Sequence, residues 1–393
     1  MNRKIKFLLA AVFLAVLPVA VWADGIAITH GPYLQNVYET EATIVWTTNN
    51  EANGWVELAP DDGTNFYAES RPKYYDAHIG VKRTGKVHAV KLTGLKPGTK
   101  YRYRIYSQEV LKREGWHIIY GYVAATNVYS KAPLTFTTND ASKPETSFLV
   151  LNDIHERVDV MKQMLEKGDY QKRDMVIYNG DMVNIMPDDE ALFRGFLDES
   201  VNLFASEIPL YYVRGNHETR GASAVNFQNY ICPRQDNIFF SWQQGPVFFL
   251  ALDAGEDKPD DDLEYAGANV YDEYRTAQAE WIKKVINSEE YKKAKYHVVI
   301  CHVPPAPEQN AWHGDLEVKK KFASILNNAD VDVMLCAHYH RFAYYPNLEG
   351  VNFPVIINSN NSYLTGEADN EKLKIQVVSN KGKKLLKKDF PIK

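Results

Sequence analysis

Between residues 28 and 138 apolar and polar positions alternate in short runs, at 42–47, 54–58, 87–92, 101–106 and 134–137. Period-two alternation turns one face of each run to a core, and the Gly, Pro and Asn between runs supply turns. The pattern therefore predicts an all-β sandwich. Within it, Pro97-Gly98 turns the chain into a run that begins with Tyr101, whose hydroxyl can bond back to upstream backbone as a tyrosine corner. Trp46 is expected between the sheets as core. After the polar, turn-rich stretch 139–146 the pattern changes. Uninterrupted apolar runs at 148–151, 175–178, 210–213, 247–252, 297–301, 331–336 and 355–357 alternate with helical stretches at 158–167, 191–204, 276–285 and 316–326. Strands without polar breaks are covered on both faces, so this second part reads as α/β. Near the C-terminus, runs at 373–378 and 385–390 flank Ser379-Asn380-Lys381-Gly382, the pattern of an edge hairpin whose lysines discourage aggregation.

At 393 residues and 45% hydrophobic content the chain can bury two cores. Residues 1–23 read as a secretory signal: Arg3, Lys4 and Lys6 precede an apolar run at 7–21, with small residues at the expected cut. That run is shorter than the ~20 residues a membrane span needs, and no Cys follows it to carry a lipid. The expectation is a secreted or periplasmic protein with no stable span after cleavage. Without those three cations the net charge of −5 becomes −8, which argues against nonspecific binding of nucleic acid, and no nucleic-acid module is evident. Cys232, Cys301 and Cys336 form no disulfide framework; the latter two are expected at the ends of buried strands. The acidic stretch 256–264 reads as a solvated loop.

Five short segments carry the chemistry, each just past an apolar run: Asp153-Ile154-His155, Gly180-Asp181, Gly215-Asn216-His217-Glu218, His302, and His338-Tyr339-His340. An i, i+2 pair at an extended strand end points two side chains the same way, so two ligands meet one metal. Gly180 permits the tight turn that sets a carboxylate between two ions. Singly each segment is ordinary, but all five follow strand carboxyl ends, where open α/β sheets form their ligand crevices.

Together, D-x-H, G-D, G-N-H-E, a lone His after a strand and a final H-x-H resemble the signature of the calcineurin-like metallophosphoesterases, over about 145–393. The segment 92–103, with 45–48 and 136–138, resembles a fibronectin type III domain and more closely the small N-terminal domain of purple acid phosphatases. After the signal at 1–23 and the β-sandwich at 24–140, the resemblance implies a four-layer αββα catalytic domain at 145–393. It implies Asp153, His155, Asp181 and His340 on one divalent ion and Asp181, Asn216, His302 and His338 on a second, the metals being manganese, zinc or iron. Such a pair activates a shared water as hydroxide and clamps phosphate oxygens during in-line displacement. His217 is then expected to protonate the leaving alkoxide and Asn216 and His217 to touch substrate, while Glu218 either orients His217 or, the favoured reading, lies solvated. The substrate is expected to be a phosphate-ester small molecule or a phosphorylated polymer. The alternative is a noncatalytic extracellular binding or adhesion protein that uses the sandwich.

Departures sharpen this. Purple acid phosphatases resemble the chain in domain order but carry Gly in place of His155 and a metal-binding Tyr where Asn184 stands, so a colourless protein is expected. Serine/threonine protein phosphatases continue their bridging motif with Asp-Arg-Gly. Here Met182-Val183-Asn184-Ile185 follows, and the Arg that grips phosphate is missing. Arg214 and Arg341 are each either a source of that charge or a surface or turn residue, and the segment 306–315, with Trp312 and His313, is either a specificity loop or a plain surface connection.

Overall fold

A computed structural model describes residues 25–307 and 309–392. The expected signal at 1–23 lies outside the described residues. Among those described, no helix is long and apolar enough to cross a membrane.

The N-terminal part is β-rich, as expected, but two of the expected strands are one. Glu41–Pro60 runs unbroken for 20 residues. Its first half pairs with Ile28–Gln35 and Gly85–Thr93, its second with Lys100–Glu114 and Lys73–Tyr75, and the register shifts between Thr47 and Ala52. A bulge of this kind bends a strand so that it serves both layers, and the break read from the sequence at 48–53 is that bend. Ile44, Trp46, Val90, Leu92, Val56, Tyr103, Ile105 and Phe136 close into one buried cluster. Trp46 is a core residue whose indole N–H donates to Ser107 Oγ at 2.8 Å. The Tyr101 hydroxyl accepts the Lys96 N–H at 2.9 Å, which makes the tyrosine corner. Strand His117–Ala125, an edge strand with most of its residues exposed, has no core-facing alternation and was not legible in the sequence.

The second part holds two six-stranded sheets. The first runs Leu210–Val213, Met175–Asn179, Thr146–Leu151, Ser362–Ala368, Lys372–Ser379, Lys384–Pro391, with the expected lysine-bearing hairpin at its edge. The second runs Phe240–Gln244, Val247–Leu252, Tyr296–Cys301, Val333–Cys336, Val355–Ile357, Ala343–Tyr345. Period two sorts the residues of the buried strands. Val298 and Ile300 face the other sheet with Phe148 and Phe249, while Val299 and Cys301 meet Ile282, Val318 and Phe322 from the helices. With helices Val158–Lys167 and 190–205 against the first sheet and Tyr271–Val285 and 313–326 against the second, the layers are αββα. Cys301 and Cys336 end their strands, buried, as expected.

The stretch 139–146 is docked rather than free. Asn139 is buried and donates to Val37 O at 3.0 Å and Tyr211 Oη at 2.9 Å, and the Asp140 N–H reaches Gln244 Oε1 at 2.8 Å.

Candidate metal centre

The strands Thr146–Leu151, Met175–Asn179 and Leu210–Val213 run parallel, as do Tyr296–Cys301 and Val333–Cys336 in the other sheet, and all five release their carboxyl ends into one crevice. The loops behind them are laced together by backbone: Asp153 N–H to Gly180 O at 2.9 Å, His155 N–H to Asp181 O at 3.0 Å, Ala337 N–H to His302 O at 2.9 Å. Gly180, at φ +78°, and Gly215 cross so closely that a Cβ on Gly215 would stand 2.2 Å from Asp181 Oδ1, which is why both positions lack a side chain.

The i, i+2 pairs meet, but not because their backbone is extended. Asp153 and His155 have φ of 51° and 49°, Asp181 54°, and His338 and His340 73° and 55°. Five residues of one crevice thus sit in the left-handed region that costs a non-glycine residue about 1 kcal/mol or more, a cost that clusters where a site over-determines the backbone.

The side chains gather in two groups. In each, the candidate ligand atoms lie within 4.8 Å of one another: Asp153, His155, Asp181 and His340 in the first, Asp181, His302 and His338 in the second. Asp181 belongs to both. Asn216 joins the second group through Oδ1, 3.0 Å from His338 Nδ1. His155 Nε2 and His340 Nε2 face each other at 3.0 Å, and His340 Nε2 is 3.3 Å from Asp153 Oδ1. All seven sequence-derived candidates are therefore in one place.

The donor set fits cations. Asp153 Oδ1 and His302 Nε2 are buried without a hydrogen-bond partner and point at each other across 3.9 Å. His302 Nε2 also lies 3.1 Å from Asp181 Oδ2, without the alignment of a hydrogen bond. Polar atoms left unpaired in a dry crevice are expensive unless something charged meets them. The other faces of these groups are fixed. His302 Nδ1 donates to Asn179 O at 2.7 Å, and Asp153 Oδ2 accepts from Asn152 Nδ2 at 2.6 Å and from the His338 N–H at 3.2 Å. A histidine whose second nitrogen is tied to a carbonyl presents the first as a ligand. The electrostatics agree: burial opposes its charge, yet Asp181 and Asp153 draw the His302 imidazole upward, so the carboxylates demand a positive charge between them. Burial, then His302, pushes His338 down to about 4, which keeps it neutral.

His217 stands beside the clusters, Nε2 3.9 Å from Asp181 Oδ2, with Nδ1 donating to Asn184 O at 2.7 Å. Asn184, expected to matter only for the tyrosine it lacks, thus orients His217 through its carbonyl.

Two expectations are overturned. Glu218 is not solvated: fully excluded from water, its carboxylate accepts the N–H groups of Asp181 at 2.9 Å, Met182 at 2.8 Å and Gly215 at 2.9 Å. The acidic stretch is not wholly a solvated loop: Glu256 and Asp257 are buried, with Glu256 gripping Arg220, and Asp257 Oδ2 is 3.5 Å from His338 Nε2. Arg214 is paired side-on with Asp253, Nη2 to Oδ2 at 2.7 Å. Arg341 is exposed and lies over the Tyr339 ring, 5.7 Å from its centroid. In the segment 306–315, where Glu308 lies outside the described residues, Trp312 is exposed and His313 is held by Asp272 at 2.8 Å. The segment ends on Asp315, which accepts the Tyr339 hydroxyl at 2.7 Å. Sequence reading also passed over Arg220; its place three residues after His217 was the available signal.

Two family models match the chain: "Calcineurin-like phosphoesterase" over residues 146–342, and "Purple acid Phosphatase, N-terminal domain" over residues 31–122. The chain is 27% identical over 157 residues to the serine/threonine-protein phosphatase CPPED1 of Mus musculus, which covers 37% of this chain and 46% of that protein. It is 24% identical over 293 residues to purple acid phosphatase 21 of Arabidopsis thaliana, covering 69% of this chain and 58% of that one. The chain spans about half the length of these curated relatives. Among solved structures, a dimetal phosphatase from Danio rerio covers 64% of this chain and 100% of its own at 14% identity, with a TM-score of 0.48.

Proposed function

The chain belongs to the calcineurin-like phosphoesterase family, and we propose that it hydrolyses phosphate esters outside the cytoplasm at a centre of two divalent cations. The observation that carries this is the convergence of Asp153 Oδ1 and His302 Nε2, buried and unpaired, on Asp181, which two ligand groups share. Asp153, His155, Asp181 and His340 would hold one ion, and Asp181, Asn216, His302 and His338 the other. The cations supply an activated water and positive charge for the phosphate oxygens.

The chain's own residues do the rest. Asp181, braced by Glu218, keeps one carboxylate between the two groups. Asn216 and His217 are the substrate contacts. His217 spends Nδ1 on the Asn184 carbonyl, so Nε2 is the nitrogen that faces the crevice and delivers a proton to the leaving oxygen. Manganese, zinc or iron(II) suits this set of imidazole and carboxylate donors. We assign 24–140 to the sandwich and 145–393 to the catalytic unit from the change of sequence pattern at 139–146. Export rests on the basic and apolar pattern of 1–23.

The test is hydrolysis of a chromogenic phosphomonoester and a bis-phosphodiester with added manganese, for the wild type, Asp181→Asn and His217→Ala. The wild type is expected to cleave at least one ester and Asp181→Asn to lose metal and activity together. Equal activity in all three proteins would overturn the assignment.

A further inference from the structure

His217–Thr219 forms a 3-10 turn, in which side chains three apart eclipse, so Arg220 comes to lie against His217. The Arg220 N–H closes the turn on the His217 carbonyl at 3.2 Å. Its guanidinium is gripped from the far side: Nε donates to Glu256 Oε2 at 2.8 Å, and Nη2 to Glu256 Oε1 at 2.8 Å and Asp257 Oδ1 at 3.4 Å. This side-on fork turns Nη1 toward His217 Nε2, 3.2 Å away. Glu256 is fully excluded from water, whereas the Arg220 side chain keeps 18% of its surface and His217 keeps 27%. The anchored end is therefore dry, and the other end donates from Nη1 to His217 Nε2, a bond that Nη1 exchanges for a phosphate oxygen when substrate binds and that leaves Nε2 to take up the proton it delivers.

An arginine merely tying Glu256 to the fold does not need to aim its remaining donor at His217. We propose that Arg220 is a substrate-binding residue, its Nη1 taking a non-bridging oxygen of the substrate phosphate beside His217 and so favouring monoesters over diesters. The proposal rests on the phosphoesterase reading above. Guanidinium is permanently charged, and its fixed N–H directions suit phosphate oxygens. A monoester offers three non-bridging oxygens and up to two charges; a diester offers two oxygens and one charge. Where the ester is a diester, its second carbon substituent takes the position at which a monoester meets Nη1. Arg220 thus supplies from the G-N-H-E-T-R segment the guanidinium that Met182-Val183-Asn184-Ile185 lacks.

The experiment compares the metal-loaded wild type with Arg220→Gln and Arg220→Lys, each checked for metal content. Steady-state rates are measured on 4-nitrophenyl phosphate and bis(4-nitrophenyl) phosphate, and inorganic phosphate is titrated by calorimetry. For Arg220→Gln, kcat/KM on the monoester is expected to fall about ten- to hundredfold, mostly through KM, with the diester within about threefold. Phosphate affinity should fall by a similar factor, and Arg220→Lys should recover part of both. An equal fall on the two esters at unchanged metal content overturns the proposal, since it marks a brace for the 256–257 segment. No fall on either ester also overturns it. Should the wild type cleave neither ester, the phosphoesterase reading fails, and calorimetry alone decides Arg220: unchanged phosphate affinity in the variant refutes it. If Arg220→Gln does not fold, Arg220→Lys carries the comparison, because it keeps the charge and loses the fork. A monoester-selective fall is then expected, and an equal fall refutes the proposal.

Discussion

Glu218 holds Asp181 by the backbone: its carboxylate, wholly out of water, accepts the Asp181 N–H at 2.9 Å and so sets the residue that both ligand groups share. The same carboxylate takes the N–H groups of Met182 and Gly215, pinning two crossing loops. Glu218→Ala strands four buried donors, the N–H groups of Asp181, Met182, Val183 and Gly215, each worth roughly 1–3 kcal/mol when unpaired. A loss of about 3 kcal/mol or more in urea unfolding, with reduced metal content, is expected. A stability change within 0.5 kcal/mol, on the order of an ordinary surface substitution, would contradict this role.

His217 is expected to act on the leaving group. His217→Ala should lose about a hundred- to ten-thousandfold on an alkyl monoester. On a nitrophenyl ester, whose leaving oxygen barely needs a proton, the loss should be much smaller. Equal losses on the two esters would assign His217 to binding instead.

No phenolate reaches the clusters by the route used in purple enzymes. Asn184 stands where their tyrosine would, and Tyr339 gives its hydroxyl to Asp315 at 2.7 Å. Burial, then Asp315, pushes the Tyr339 phenol well above its ordinary range, so it stays protonated. The metal-loaded protein should be colourless. Tyr339→Phe should leave the visible spectrum unchanged and cost about 1–3 kcal/mol, because the buried Asp315 carboxyl loses one of its two donors and keeps only the Trp312 N–H at 2.8 Å. A visible band that this substitution abolishes would show a phenolate ligand.

In the sandwich, His88 is buried against Trp46, 5.1 Å between ring centroids, with Thr48 Oγ1 3.0 Å from Nε2. Burial, then Arg234, lowers its pKa from 6.5 to about 4. Between those values the unfolded chain binds a proton that the folded one refuses. Its contribution to stability is therefore complete above pH 6.5 and is lost as pH falls toward 4, by on the order of 3 kcal/mol. Urea titrations of the wild type and His88→Gln from pH 7 to 4.5 check this: the variant should show the shallower decline. Parallel curves would refute it.

Much of the fold was legible because strand and helix patterns are local. The run 247–252 is continuous because Val247–Leu252 is covered on both faces, and the helix expected at 158–167 is the one observed. The site segments were legible for a related reason: each sits directly after an apolar strand, so five strand ends named all seven candidate ligands. Strand His117–Ala125 escaped because, at a sheet edge and largely exposed, it needs no buried face.

What the sequence by itself determined is therefore a β-rich domain before an α/β one, and the residue types a dinuclear centre needs, since both follow from spacing along the chain. Only the tertiary structure decided how those residues are held. It put five of them in left-handed turns rather than extended ends, drew Glu218 inside to brace Asp181, and brought Glu256 across 36 positions to fix Arg220 beside His217. A carboxylate reads the same in sequence whether solvated or buried. Its role is set by the donors that distant segments bring to it, and no local pattern encodes those.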